Sequence, residues 1–133
     1  MAGYSGTPLP KKLGIAPGAR LRFVAAPDEF AAALGPLPVG VQFAARGAAD
    51  VVVFFTDRRA DLARRFAALA RGVDRAGGLW IAWPKKSAGV ATDLDENVVR
   101  EIGLAAGLVD NKVCAIDEKW SGLRFVVRLR DRK

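Results

Sequence analysis

Apolar residues along the chain recur with two spacings that alternate from one segment to the next. Runs that are wholly apolar, or apolar at every second position, predict β-strands. They fall at residues 20–25, 41–45, 50–55, 79–83, 109–116 and 123–129. Apolar residues three or four positions apart, together with helix-start residues such as Thr7 and Pro8, predict helices at residues 9–13, 27–34, 58–73 and from residue 93. The chain therefore predicts strands that alternate with helices.

Small polar residues and glycines set the expected limits of the longer helices. Asp57 is expected to cap a helix over residues 58–73, and Gly77 and Gly78 are expected to break it. Asp93, with a glutamate three residues later, predicts a capping box that starts the next helix. The long helix carries one apolar stripe, formed by Leu62, Phe66, Leu69 and Val73.

The two most apolar strands, residues 50–55 and 79–83, are typical of strands that are covered on both faces. We expect them to lie side by side and parallel. The connection between the last two strands is so short that they should pair antiparallel. The pattern predicts one α/β domain over residues 1–133: a three-layer sandwich with a mixed, mostly parallel sheet that ends in an antiparallel hairpin. This arrangement is similar to a reduced Rossmann-like methyltransferase fold, with residues 1–18 as an N-terminal extension that packs on the domain.

The chain is basic, and the excess charge favours anionic partners. It has 21 Lys and Arg against 14 Asp and Glu, a net charge of +7. The exposed side of the long helix is rich in arginine, which could contact the phosphates of a nucleic acid, although neighbouring aspartates could equally pair with it. These arginines are Arg58, Arg64, Arg65, Arg71 and Arg75, of which Arg58 and Arg65 are the candidates for partner contact.

Several kinds of chemistry are disfavoured by composition. The chain has no histidine and one cysteine, Cys114, which lies in an apolar run and is expected in the core, so we assign no metal. No apolar run is long enough to span a membrane. The first residues lack the charged-then-apolar order of a secretory signal, so we expect a cytoplasmic protein without membrane association.

One loop is unusual enough to be a candidate ligand site. It follows the predicted central strand 79–83, at the position where open α/β sheets tend to bind ligands. Two ammonium groups and a hydroxyl could receive an anion there, or the lysines could simply be solvated. The candidate ligand-binding residues are Trp83, Lys85, Lys86, Ser87 and Gly89.

The predicted hairpin connection supplies a candidate surface for a protein partner or for a second copy of the chain. Glu118, Trp120 and Ser121 lie there, and an exposed tryptophan is a plausible contact. The alternative is that Trp120 folds over and covers the edge of the sheet.

Two longer segments carry a family resemblance. The segment from Leu79 to Glu96 and the segment from Gly107 to Leu123, with the opening Met1 to Leu9, resemble a bacterial family of uncharacterised proteins, domain of unknown function 3052. The resemblance covers nearly the whole chain. It implies a bacterial origin and no particular activity or cofactor.

The cofactor signature of related folds is missing. A dinucleotide or S-adenosylmethionine site usually has glycines after the first strand, but Ala25, Ala26 and Pro27 stand there, and Arg46 rather than an acidic residue follows the second strand. We therefore assign no cofactor. The sequence favours a non-enzymatic binding domain for an anionic ligand. The alternatives are a degenerate S-adenosylmethionine-dependent methyltransferase-like enzyme and a protein-protein adaptor or homodimer.

Overall fold

A computed structural model describes residues 7–132. Within that range the chain forms four α-helices and six β-strands. The helices are Leu9–Lys12 (α1), Asp28–Leu34 (α2), Arg59–Arg71 (α3) and Glu96–Ala105 (α4). The strands are Arg20–Val24 (β1), Gln42–Phe43 (β2), Ala49–Phe55 (β3), Val73–Pro84 (β4), Leu108–Ala115 (β5) and Trp120–Val127 (β6). None of the helices in this range has the length and apolar character needed to cross a bilayer.

All six strands belong to one mixed sheet in the order β2-β1-β3-β4-β6-β5. Strands β2, β1, β3 and β4 are parallel, whereas β6 runs antiparallel to both β4 and β5. Val52 of β3 lies opposite Leu79 of β4 in parallel register. The predicted mixed sheet, its parallel central pair and its antiparallel end are therefore confirmed.

Alternation along the strands divides the core into two layers, one on each face of the sheet. On one face Val51, Val53 and Phe55 pack with Phe30 of α2. On the other, Val52 and Phe54 pack with Leu62 and Phe66 of α3. Because neighbouring side chains of a strand point to opposite faces, a central strand buried on both sides must be apolar at nearly every position.

Residues 9–19 complete the first of these layers, whereas residues 1–6 of the predicted extension lie outside the described residues. Leu9, Leu13 and Ile15 are buried in it. The indole nitrogen of Trp80, at the centre of the sheet, donates a hydrogen bond of 3.0 Å to the carbonyl oxygen of Leu13. The segment thus satisfies a polar atom that would otherwise be buried without a partner.

The connection from β2 to β3 contains no helix. Strand β2 pairs only with Arg20 and Leu21, the first two residues of β1, so the chain has little distance to return before β3 begins. Residues 44–48 cover that distance as a loop that crosses β1. Parallel strands usually need a crossover of a dozen residues or more, and the two-residue β2 removes that need.

Two arginines of β1 hold this crossover loop. The guanidinium group of Arg22 donates hydrogen bonds to the carbonyl oxygens of Ala44 (3.1 Å), Gly72 (3.1 Å) and Gly47. The guanidinium group of Arg20 donates to two further carbonyl oxygens of the loop, at 3.1 and 3.3 Å. The arginines therefore supply the donors that the backbone of a crossover helix would have supplied itself.

The long helix begins about where it was predicted but ends earlier, and its predicted break at Gly77 and Gly78 is wrong. Helix α3 ends at Arg71, Val73 begins β4, and Gly77 and Gly78 lie inside that strand. A Cβ at Gly77 would overlap the backbone carbonyl of Asp50 on β3, so the glycine permits the close approach of two strands. Arg75, expected on the helix, is accordingly on β4.

The predicted caps are also wrong. Asp57 does not cap α3, whose N-cap residue is Arg58 without a side-chain hydrogen bond. The carboxylate of Asp93 instead accepts a hydrogen bond of 2.7 Å from the backbone nitrogen of Arg59. Helix α4 is capped by Asp95, which accepts a hydrogen bond of 2.8 Å from the backbone nitrogen of Val98. Asp93 thus stabilises the start of a helix other than the one it precedes.

Replacement of Arg22 tests the crossover. We expect Arg22→Ala to lower the free energy of unfolding by about 2–4 kcal/mol, because carbonyl oxygens in a partly buried place lose their donors. Urea denaturation measures the change. Arg71→Ala is the matched control, since Arg71 is exposed and makes no hydrogen bond or ion pair within residues 7–132, and it should change stability by less than about 0.5 kcal/mol. Equal effects of the two substitutions would contradict the role assigned to Arg22.

Replacement of Gly77 tests why the glycine is there. We expect Gly77→Ala to lower the free energy of unfolding by about 1–3 kcal/mol, because its Cβ meets backbone that cannot move aside easily. Gly78→Ala should have a smaller effect, since its Cβ meets the flexible side chain of Arg124. If Gly77 only ended a helix, alanine there would leave stability unchanged or raise it.

Candidate functional site

The parallel strands β1, β3 and β4 end at the same side of the sheet, which we call the carboxyl edge. From β1 the chain moves outward to β2 and then returns to β3 on the other side of β1. Open α/β sheets bind ligands outside the carboxyl ends of the strands at such a reversal of strand order. The position between the ends of β1 and β3, which we call the crevice, is therefore the first candidate site.

Ala25 makes a sharp turn at the end of β1. Its φ angle is +58°, and it is the one non-glycine residue between positions 7 and 132 in the left-handed region. A side chain there is strained by about 1–2 kcal/mol. Ala25 and Ala26 are both exposed. The tight turn that glycine makes in nucleotide-binding loops is thus made here by alanine, with only small side chains beside it.

The end of β3 carries a buried hydroxyl group joined to α3. The hydroxyl of Thr56 donates a hydrogen bond of 2.9 Å to the carboxylate of Asp61 and accepts one of 3.3 Å from the backbone nitrogen of Arg58. Burial alone would raise the pKa of Asp61, but hydrogen bonds from Thr56 and Arg64 and the nearby arginine charges more than offset it. The pKa of Asp61 therefore lies below its usual value, and the carboxylate stays ionised.

A second concavity lies beside the ends of β4 and β6, and we call it the loop cavity. Its volume is about 360 Å³. The backbone nitrogen of Lys85 donates a hydrogen bond of 2.8 Å to the carbonyl oxygen of Lys119, which fastens the loop after β4 to the hairpin turn. The cavity is lined by Trp83, Pro84, Lys85, Lys86, Leu94, Asp95, Glu96, Asn97 and Ser121. It brings together four residues that the sequence analysis nominated from two separate segments.

Other nominated residues do not line the loop cavity. Ser87 lies in a short 3-10 turn that Gly89 closes with a φ angle of +70°, so both serve to turn the chain. Glu118 is exposed in the hairpin turn. Trp120 begins β6 rather than lying in the turn, and its ring packs edge-on against Phe55 at a centroid distance of 5.1 Å. Trp120 therefore packs on a face of the sheet against the central strand β3, rather than presenting its ring in the turn or covering the edge of the sheet.

The charges of the loop cavity are mixed. Lys85 and Lys86 share it with the carboxylates of Asp95 and Glu96. Asp95 is engaged as the cap of α4, and Glu96 pairs with Arg100 at 2.6 Å. A cavity with both signs of charge suits a polar group that itself carries both, rather than an anion alone.

The two arginines nominated for partner contact lie two turns apart on the same helix. Arg58 is at the start of α3 near the carboxyl edge. Arg65 lies further along, with its guanidinium group 4.8 Å from the ring centre of Phe54.

The crevice residues Ala25 and Thr56 were missed by the sequence analysis. No sequence signal marks an alanine with a positive φ angle. The threonine lies directly after the most apolar strand, and a polar residue at the carboxyl end of a buried parallel strand is a usable signal that could have identified it.

Within residues 7–132, no group of three potential metal-ligating side chains comes together.

Comparison with known proteins shows the fold. No family model and no curated protein matches the chain. Its structure is similar to a putative type 11 methyltransferase from Sulfolobus solfataricus, with a TM-score of 0.58, 12% identity and coverage of 92% of this chain and 91% of that one. It is also similar to a TehB-like S-adenosylmethionine-dependent methyltransferase from Corynebacterium glutamicum, with a TM-score of 0.55, 10% identity and coverage of 96% and 91%. The fold is therefore that of the Rossmann-like S-adenosylmethionine-dependent methyltransferases.

Two further similarities differ in coverage. The fibrillarin pre-rRNA processing protein of Methanococcus jannaschii matches with a TM-score of 0.56 and 11% identity, over 94% of this chain and 70% of that one. The chain spans about half, 51%, of the length of magnesium protoporphyrin IX methyltransferase from Synechocystis, at 18% identity and a TM-score of 0.47 over 65% of this chain.

The lowered pKa of Asp61 predicts a pH dependence of stability. Because the folded state holds the carboxylate ionised, its contribution is fully present above the unfolded pKa, about 3.9, and is lost as the pH falls through the lower folded value. We expect Asp61→Asn to be less stable than the wild type by about 1 kcal/mol at pH 7. Urea denaturation should show this difference shrinking between about pH 5 and pH 2.

The matched control is Glu101→Gln, at an exposed position of α4 without a hydrogen bond or ion pair in the described part of the chain. It should change stability at pH 7 by less than about 0.5 kcal/mol. A difference between Asp61→Asn and the wild type that grows on acidification would mean that the folded state raises the pKa of Asp61 rather than lowering it.

Proposed function

We propose that this chain is a methyltransferase-like protein that binds S-adenosylmethionine in the crevice between the ends of β1 and β3. The observation that carries the proposal is the left-handed turn at Ala25, placed at the reversal of strand order in this fold. The similarity in fold to methyltransferases, one of them named as S-adenosylmethionine-dependent, supports the choice of ligand.

The residues around the crevice fit this ligand through the main chain and through acidic groups at its rim. Ala25 and Ala26 leave the backbone accessible, while the carboxylates of Asp28 and Asp57 are exposed and have no partner within residues 7–132. S-adenosylmethionine carries a sulfonium and an ammonium group, which carboxylates attract. The main chain of residues 25–27, with Asp28 and Asp57, would hold it.

One departure from the usual pattern predicts weak binding. Many dinucleotide sites of this kind have an acidic residue after the second strand, which binds ribose hydroxyl groups. Here Ala44 is buried there, and Arg46 follows on the crossover loop. A ribose bound in the crevice would lack that partner.

The loop cavity is the place we propose for the molecule that would receive the methyl group. When bound, S-adenosylmethionine supplies an electrophilic methyl group. The loop cavity lies at the same edge of the sheet, and Lys85, Lys86 and Asp95 could orient an acceptor with groups of both charges. This mixed lining favours an acceptor site over the anion site expected from the sequence.

Ligand-induced stabilisation tests the proposal. We expect millimolar S-adenosylmethionine or S-adenosylhomocysteine to raise the melting temperature by several degrees, because a ligand that binds only the native state stabilises it by mass action. Free methionine at the same concentration should give a smaller shift, because it lacks the adenosine part of the ligand. Isothermal titration calorimetry measures the affinity directly.

A variant pair locates the site. Ala26→Phe should abolish the shift because it places a bulky ring directly beside the Ala25 turn, with little effect on the melting temperature of the free protein because Ala26 is exposed. Ala105→Phe makes the same change at an exposed position near the opposite edge of the sheet and should leave the shift intact. No binding by the wild type, or equal binding by Ala26→Phe, would refute the proposal.

A further inference from the structure

A third concavity, which we call the arginine cavity, lies on the α3 face of the sheet, away from the carboxyl edge. Its volume is about 240 Å³. It is lined by Arg22, Val52, Arg64, Arg65, Ala68, Leu69 and Gly72. Gly72 follows the last residue of α3, whereas the crevice lies at the first turn of that helix. The two sites are therefore at different ends of α3.

The cavity exists because the crossover from β2 to β3 is a loop. Arg22 of β1 lies opposite Val52 of β3, on the face covered by α3. A helical crossover would pack over β1 on one face of the sheet. Residues 44–48 instead cross as a short loop, and a gap remains between Arg22 and α3.

Positive charge at this cavity exceeds the negative charge around it. Three guanidinium groups line it and no carboxylate does. Asp61 pairs with Arg64 at 2.8 Å, but Arg65 makes no hydrogen bond or ion pair within residues 7–132. Arg22 is bonded only to neutral carbonyl oxygens, which satisfy its donors without neutralising its charge.

The geometry of these groups favours a phosphate. Arg64 and Arg65 retain several free N–H donors, and guanidinium groups bind phosphate oxygens in pairs. The Arg65 guanidinium group lies over the ring of Phe54, a contact that limits its freedom before binding, so less side-chain freedom is lost on binding. The carbonyl of Gly72 would repel an anion at the end of α3, but it accepts a hydrogen bond from Arg22.

We propose that the arginine cavity binds a phosphate group, held by Arg64 and Arg65 and positioned over Arg22. The apolar wall of Val52, Ala68 and Leu69 excludes water from one side, which strengthens the charge interaction. The phosphate belongs either to a small phosphorylated molecule or to the backbone of a nucleic acid. The site is independent of S-adenosylmethionine binding.

Titration with two probes tests whether the arginine cavity binds phosphate and shows whether that phosphate belongs to a small molecule or to a nucleic acid. Inorganic phosphate and a ten-nucleotide RNA are titrated separately by calorimetry at low and high salt. We expect the double variant Arg64→Gln/Arg65→Gln to weaken binding at least tenfold. Arg71→Gln, one to two turns along the same helix and outside the cavity, should change it less than twofold. Binding of phosphate alone identifies a small phosphorylated ligand, and tight, salt-dependent RNA binding identifies a backbone phosphate.

A measurement on the wild type keeps the test valid if the double variant unfolds. Backbone amide shifts in NMR spectra, followed during the phosphate titration, should change most at residues 64–72 and at Arg22. Binding of neither probe, binding that Arg71→Gln weakens as much as the double variant does, or shifts confined to Lys85 and Lys86 would overturn the proposal.

Discussion

The hydrogen bonds from the Arg22 guanidinium group to three backbone carbonyls are the interaction on which the parallel half of the sheet depends. They join three segments that are distant in sequence: β1, the crossover loop, and the junction of α3 with β4. A helix would satisfy its own carbonyls, but a five-residue loop, 44–48, cannot. Arginine suits this task because its fork of donors reaches several acceptors at once. The same side chain then limits how closely α3 approaches β1.

Because the crossover from β2 to β3 is short, the sheet can be smaller than in the regular fold and still keep the reversal of strand order between β1 and β3. Strand β2 needs only two residues to reverse the strand order, and the reversal, rather than the number of strands, creates the space between β1 and β3. The edge beyond β1 is shortened accordingly, and Phe43 is left 62% exposed there. The antiparallel hairpin lies at the other end of the sheet and contributes to the loop cavity instead. The loop cavity and the arginine cavity are thus each traceable to a departure from regular alternation of strand and helix, the hairpin in one case and the loop crossover in the other.

The sequence predicted the features that depend on the burial of local segments. It failed for residues whose role depends on a contact with a residue distant in sequence. Strands 50–55 and 79–83 were identifiable because two buried faces require apolar residues throughout. Gly77 was misread as a helix break because its cause is the carbonyl of Asp50 on another strand. Asp93 was misread as a cap of its own helix because its partner is Arg59, 34 positions earlier. Of the candidate site, the sequence located the loop after β4. It did not predict the mixed charge, because that depends on Asp95 lying beside the lysines in the folded chain.

The net charge of +7 favoured anionic partners for this chain, but it did not indicate where on the surface positive charge is left unpaired. Net charge counts side chains, whereas binding depends on charges that no neighbour compensates. The lysines of the loop cavity share it with the carboxylates of Asp95 and Glu96 at the start of α4, where acidic residues are favoured by the helix dipole. Arg65 lies over an aromatic ring and forms no ion pair in the described part of the chain, although the charge of Asp61 lies near it, and Arg22 is bonded only to carbonyls. Positive charge therefore remains uncompensated where the helix of a regular crossover is missing, so a change in chain topology, rather than composition, determines where this protein would bind a phosphate.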